Sequence, residues 1–294
     1  MRYFTYTILG ILISTLGMAQ NTNVKTVVYS PLLISDQLPK SVNEQSAMLW
    51  HNNLFWVIND SDCKPELIAY NPKGQLEETI LINNASNKDW EDLAEDEDYI
   101  YIGDFGNNRG SRKDLRVLRV LKSDMKNKEV TIDSITFTWA DQKNFRNRNM
   151  KNNFDCEAFF ACGDSLYLFT KNWINKKTRL YSMPKTPGNY KLKPITEFNT
   201  SFMVTGADIS ADGKTVALVG YKNYHTYMML LTNFEGMNFF SGNVLRLDIE
   251  SLGRAQTEGI VFTDKNELYI NTEETRLSQA FYRVDWMKIL TNTK

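Results

Sequence analysis

Glu91-Asp92-Leu93-Ala94, followed after a polar turn by Tyr99-Ile100-Tyr101-Ile102, sets out a unit: a polar doublet enters an apolar strand, the chain turns, and a second apolar strand climbs out. The unit recurs four more times. One copy begins at Ser46 (Ser46-Ala47-Met48-Leu49-Trp50, then Leu54-Phe55-Trp56-Val57-Ile58) and one at Glu157 (Glu157-Ala158-Phe159-Phe160, then Ser165-Leu166-Tyr167-Leu168-Phe169). The others begin at Ala207 (Ala207-Asp208-Ile209-Ser210, then Thr215-Val216-Ala217-Leu218-Val219) and Glu258 (Glu258-Gly259-Ile260-Val261-Phe262, then Glu267-Leu268-Tyr269-Ile270). Successive starts lie 45, 66, 50 and 51 residues apart. Strand-rich repeats of about 40 to 50 residues are the spacing of β-propeller blades, with four strands to a blade.

Further strand-like runs lie between the copies. Residues 66–70 and 77–82 follow the first, parted by the turn Asn71-Pro72-Lys73-Gly74, and residues 115–121 and 131–139 follow the second. Residues 179–183 and 193–198 follow the third, and 227–231 and 244–249 the fourth. The fifth repeat is one strand short, ending with 279–285, while residues 24–30 stand unassigned near the start. A propeller removes its exposed sheet edges by closing its ring. The sequence therefore predicts an all-β fold of five four-stranded blades, the last completed by residues 24–30. Six blades are the alternative, but residues 30–45 are too few for four strands of ordinary length. The acid-rich stretch 90–97 is read as strand, from its place in the repeat.

Composition is that of an ordinary globular chain, with 42% hydrophobic and 23% charged residues over 294 positions. A formal net charge of −1 gives no bulk attraction for nucleic acid. The first 19 residues read as an export signal: Arg2 is the positive start, 7–18 the apolar stretch, and Gly17-Met18-Ala19 a small-x-small cleavage site. A membrane anchor is the alternative, and it needs nearer twenty apolar residues. The expectation is an exported monomer, periplasmic or extracellular, cut near Ala19, with residues 20–294 as a single propeller domain. No later segment is long and apolar enough to span a bilayer. Of Cys63, Cys156 and Cys162, the last two stand roughly 20 Å apart if they share a strand. That leaves at most one disulfide, through Cys63, and three free thiols as the plainer reading.

In a propeller blade the start of the innermost strand and the end of the second lie on one face of the disc. The strand starts bring Glu44 and Ser46, Asp89 and Glu91, Asp155 and Glu157, Thr205 and Ala207, and Gln256 and Glu258, each pair spaced by two and so pointing one way. The strand ends bring Asp60, Asp104, Lys171, Lys222 and Glu273 with their neighbours. Carboxylates converging on one channel mouth repel unless a positive group sits among them. Asp, Glu and Asn oxygens are the ligand set of Ca²⁺. Glu91, Glu157 and Glu258 are therefore the candidate metal ligands, with Asp89, Asp155, Asp104, Asp60 and Glu273 completing a mouth for a cation, a small molecule or a protein ligand. The other reading is that these acids cap the backbone of neighbouring blades. The loop 143–153 carries Arg146 and Arg148 without an acid and, with Lys171, supplies a basic rim. Nucleophilic chemistry finds little support. The two histidines are His51, at the far turn of its inner strand, and His225, in a loop able to reach the mouth; no Gly-x-Ser-x-Gly elbow occurs.

Ser210-Ala211-Asp212-Gly213-Lys214 resembles the Ser-Pro-Asp-Gly-Lys turn of lactonase- and TolB-type bacterial propellers. Asp89-Trp90-Glu91-Asp92-Leu93-Ala94, Gly103-Asp104-Phe105-Gly106-Asn107-Asn108 and Gln256-Thr257-Glu258-Gly259-Ile260 resemble a family of secreted bacterial propellers to which no activity is assigned. That family is distantly similar to SdiA-regulated and phytase-like esterase propellers, and the export signal is similar to those of Bacteroidetes. The resemblance implies an exported propeller that binds a ligand or divalent cation at its acidic mouth. The alternative it implies is a Ca²⁺-dependent hydrolase of phosphoesters or lactones.

Overall fold

The computed structural model describes residues 24–293; the expected export segment lies outside them. Two short strands, β1 (Lys25–Tyr29) and β2 (Leu32–Ser35), precede the first repeat, which supplies β3 (Leu49–His51), β4 (Leu54–Val57), β5 (Glu66–Tyr70) and β6 (Leu76–Ile82). The second supplies β7 (Trp90–Glu95), β8 (Tyr99–Asp104), β9 (Leu115–Leu121), β10 (Glu129–Val130) and β11 (Asp133–Trp139). The third supplies β12 (Asp155–Cys162), β13 (Ser165–Lys171), β14 (Thr178–Pro184), β15 (Asn189–Leu192) and β16 (Thr196–Phe198). The fourth has β17 (Met203–Ile209), β18 (Thr215–Lys222), β19 (His225–Thr232) and β20 (Asn243–Ile249). The fifth has β21 (Thr257–Phe262), β22 (Leu268–Thr272) and β23 (Ala280–Val284), and a helix α1 (Trp286–Asn292) follows.

These strands form five sheets of four or five strands, a five-bladed propeller. The inner strands pack in a ring, β3 on β7, β7 on β12, β12 on β17, β17 on β21 and β21 back on β3. One apolar cluster fills each of the five seams between neighbouring blades. The alternation of apolar residues visible in the sequence is what builds them, because each blade buries both faces against its neighbours.

Closure differs from the expected route. Residues 24–30 do not complete the last blade: β1 lies parallel to β20, on the outside of blade four. The fourth strand of blade five is β2, antiparallel to β23 with Leu32 opposite Arg283. Pro31 separates the two strands, since it has no N–H to give a ladder, and Val27 and Tyr29 pack into the cluster between blades four and five. β10 and β15 behave like β1. Each lies between the third and fourth strands of its own blade and pairs in parallel with the outermost strand of the blade before it.

Side chains tie the inner strands where ladders cannot. Ser46 Oγ donates to the Trp90 carbonyl at 2.8 Å. Asp92 accepts from Phe159 N at 2.9 Å, and Asp208 from Phe262 N at 2.7 Å. Asn271, fully buried, joins blade five to blade one: its Oδ1 accepts from Gly259 N at 2.7 Å and its Nδ2 donates to the Ala47 carbonyl at 2.9 Å. Asn271→Ala leaves both backbone groups buried and unpaired, so urea unfolding at pH 7 should show a loss of about 3 kcal/mol. A loss below about 1 kcal/mol would mean that the seam does not depend on this amide.

Candidate functional site

The inner strands carry an irregularity at one rung. The β7–β8 register shifts between Trp90 and Asp92, the β12–β13 register between Cys156 and Ala158, and the β17–β18 register between Val204 and Gly206. The extra residues are Glu91, Glu157 and Thr205; in blade five the shift spans Glu258 and Gly259. A bulge adds one unpaired residue and re-aims its side chain. The register equivalent of the glutamates in blade four is therefore Thr205, not Ala207, because Thr205 is the residue at the bulge. Thr205 Oγ1 donates to the Thr257 carbonyl at 2.5 Å, at the foot of Glu258.

Glu91, Glu157 and Glu258 converge on a cavity of about 360 Å³ at the mouth, together with Asp60, Glu273, Lys171, Trp173 and Tyr221. Asp89 stands behind this wall and lines a neighbouring cavity with Lys88 and Arg109. Ligand oxygens of Asp60, Asp89 and Glu91 lie within 4.8 Å of one another. Gly106 makes this approach possible, since a Cβ there would lie 2.0 Å from Glu91 Oε1 and 2.5 Å from Asp89 Cγ. Asp155 is spoken for: it accepts from Asn107 N at 2.6 Å and from Trp173 Nε1 at 2.7 Å.

Three expected members are elsewhere. Asp104 is fully buried between Arg112 (2.9 Å) and Arg116 (2.8 Å), a strut for its own loop. Arg146 and Arg148 are exposed on the loop 143–153 and neither lines the cavity; that loop contributes Met150 instead. His225 pairs with Asp248 of β20, away from the mouth, and His51 lies at the opposite mouth. Cys63, Cys156 and Cys162 are all free.

The mouth's buried ammonium ion is Lys171, 4% exposed, which donates to Glu157 Oε2. Its Nζ lies over the rings of Trp173 (4.7 Å) and Tyr221 (5.1 Å), a cation–π sandwich. Burial alone would lower the Lys171 pKa, but Glu157, Tyr221 and Glu258 outweigh it and hold the amine charged. The carboxyls are pushed the other way. Burial, then Glu157 and Asp60, raise Glu91 well above the usual range. Burial with Asp60 and Asp155 lifts Asp89 to about 7, and burial lifts Glu258 to about 7 against the pull of Lys171. Burial with Glu258 and Asp60 raises Glu273 to about 9.

Among the described residues Asp89 is half-buried without a hydrogen-bond donor or ion-pair partner for its carboxyl, and Glu91 shares that lack at greater depth. Glu91 is 5% exposed, and among the described residues its carboxyl has neither a hydrogen-bond donor nor an ion-pair partner. Trp173, Lys176 and Tyr224 also line the cavity but were not legible in the repeat, because they sit in inter-strand loops that have no common length; Asn108 and Met150 lie in stretches expected at this face, and Met203 opens β17. Tyr221 was within reach, at the end of a second strand.

No protein-family model and no curated protein sequence matches the chain. Among solved structures it is similar to a glucose dehydrogenase, with a TM-score of 0.52 and 8% identity over 87% of this chain and 99% of that one. It is also similar to the glutaminyl cyclase of Myxococcus xanthus, with 0.51 and 8% over 89% and 100%. The PQQ-bound aldose sugar dehydrogenase of Streptomyces coelicolor gives 0.52 and 10% over 87% and 96%. At such identities the likeness is one of fold.

Removing the amine isolates a buried carboxylate, so Lys171→Met should cost about 3 kcal/mol at pH 7. The loss should be smaller at pH 5 than at pH 7, because burial pushes the Glu157 carboxyl well above the usual range and favours its neutral form, and Glu157→Gln in the same chain should restore most of it. Chemical denaturation of the single and double variants at both pH values measures this.

Proposed function

We propose that the propeller binds a divalent cation, Ca²⁺ by its oxygen donors, at Asp60, Asp89 and Glu91, and that the ion helps hold a small ligand in the adjoining cavity. The observation that carries this is the lone carboxylate of Glu91, buried beside two further acids with no counter-charge of its own. An ionised carboxylate in that position is costly unless a cation compensates it. Glu157 has Lys171 for that purpose, so the cation belongs to blades one and two rather than to the three rim glutamates together. Asn108 offers a fourth hard donor, for its Oδ1 is buried without a hydrogen-bond partner and it lines the cavities on both sides of the cluster. We read the protein as acting after export, on the strength of Arg2, the apolar stretch 7–18 and Ala19.

Titration calorimetry should show one Ca²⁺ site, with a dissociation constant on the order of 10⁻⁴ M as in extracellular calcium modules. Asp60→Asn or Glu91→Gln should abolish it, while Glu157→Gln should leave it within a few-fold. No calcium binding by the wild type sinks the proposal, and loss in Glu157→Gln alone moves the site.

The raised carboxyls fix the pH dependence. Groups whose folded pKa lies above the unfolded value give stability that is complete below about pH 4. For Asp89 and Glu258 that stability is lost as pH rises through about 7, and for Glu273 through about 9. Metal-free protein should therefore melt at progressively lower temperature from pH 5 to pH 9. Added Ca²⁺ should raise the melting temperature more at pH 8 than at pH 5, as scanning calorimetry would record.

A further inference from the structure

Two ammonium groups line the mouth cavity, and only Lys171 has an acid to answer it. The other is Lys176, half-buried in the loop between β13 and β14, with no ion-pair partner among the described residues. Its Nζ donates to the Trp173 carbonyl at 2.7 Å and to Met203 Sδ at 3.4 Å, and lies over the Trp173 ring at 5.6 Å. These partners are all uncharged. An ammonium has three N–H donors, so one is left open. The residue is also held in place: its φ of 54° is uncommon for a side chain with a Cβ, and is fixed where its N donates to the Asn172 carbonyl at 3.1 Å and its own carbonyl accepts from Thr200 Oγ1 at 3.0 Å. Burial, with Lys171 and Lys222 nearby, lowers its pKa from the usual lysine value, the direction an uncompensated cation gives.

The remaining charges of the cavity are accounted for group by group. Lys171 serves Glu157. Asp60 and Glu91, with Asp89 behind them, are the ligands of the proposed cation. Glu273 lies against Gln256 Nε2, and with a pKa raised to about 9 its neutral form dominates at pH 7. Glu258, raised to about 7 by burial, has Lys171 as the charge that pulls it back. The amide of Asn223 lines the cavity too, a neutral group that brings no charge to be matched. Beside Lys176 the wall is largely apolar, made by Trp173, by Met203, which is buried, and by Met150 and Tyr224, which are exposed.

We infer that the ligand held beside the cation is a small organic monocarboxylate with an apolar body. Its carboxylate accepts the open N–H of Lys176, and its body lies against Met150, Met203 and Tyr224. The inference rests on the cation reading above, because without the ion the acids across the cavity would repel an anion. One unanswered ammonium matches one negative charge. A phosphate monoester, with nearly two charges at pH 7, would set a surplus among those acids. Methionine side chains suit an apolar body of irregular outline, and a cavity of about 360 Å³ is of small-ligand size.

Benzoate is the probe, with benzyl alcohol as its neutral counterpart and inorganic phosphate as the alternative anion, each titrated by calorimetry into calcium-saturated protein. Saturable benzoate binding is expected, with both comparison compounds about tenfold weaker. Lys176→Met, which keeps the apolar stem and removes the charge, should weaken benzoate about tenfold, the value of one charge-assisted hydrogen bond, and Lys176→Arg should lie closer to wild type. Ligands that favour each other do so by the same factor in both directions, so benzoate should tighten calcium binding in the wild type and not in Lys176→Met. Three results overturn the inference and leave the cation reading standing: calcium binding without saturable benzoate binding, benzoate binding unchanged in Lys176→Met, or phosphate bound more tightly than benzoate. Absence of calcium binding by the wild type overturns both. If Lys176→Met does not fold by circular dichroism, the benzyl alcohol comparison and the calcium linkage in the wild type decide.

Discussion

Five sheets closed in a ring must bring the starts of five inner strands to one axis, and whatever those starts carry is forced together there. This chain starts its inner strands with acids. The bulge at that rung then turns Glu91 and Glu157 out of the ladder and toward the channel, so the architecture concentrates like charges instead of dispersing them. The fold tolerates this because burial favours the neutral form of several of the carboxyls and because one blade contributes a lysine. The acidic mouth follows from closure combined with a repeated polar phrase, and needs no separate device.

The blades are alike in backbone and unlike in charge. Blade three carries its own counter-ion in Lys171, held between Trp173 and Tyr221. Blade four replaces the glutamate with Thr205, which hydrogen-bonds within the protein. Blade two has neither arrangement, and it borders blade one, where Asp60 adds a further acid. The mouth thus has a neutralised side and an uncompensated side, and the proposed cation belongs to the second.

Much of this was legible in the sequence, and the limits of that legibility have physical causes. The spacing of the apolar phrases gave the blades and their number because strand length and blade size are set by geometry. The convergence of Glu91, Glu157 and Glu258 followed from position within the phrase. Bulges were not legible, since nothing in the apolar phrase marks the bulged residue; in blade four it falls at Thr205, two residues before Ala207. Asp104 misled for a related reason: its place at a strand end is the same as that of Asp60, but Arg112 and Arg116, six and ten residues past Gly106, capture it first. Residues 24–30 were expected to complete blade five and lie on blade four instead, because the alternation of a single strand does not specify which blade edge it joins.

β1, β10 and β15 each cross from one blade to the edge of the blade before it, like laces drawn through successive eyelets. A blade so laced presents its complete outer edge only after its successor has begun to form. For β10 and β15 the partner has already been made when the lace arrives. For β1 and β2 the order is reversed, since they lie first in the chain and their partners β20 and β23 lie last. Two strands with exposed apolar residues, Val28, Leu32 and Leu33, must therefore wait unpaired for the whole of the chain between. Contacts between such distant segments carry the largest loop-closure entropy and form late. The pairing of the first strands with the last two blades joins segments far apart in sequence, and without it the ring is an open arc with a free edge at each end.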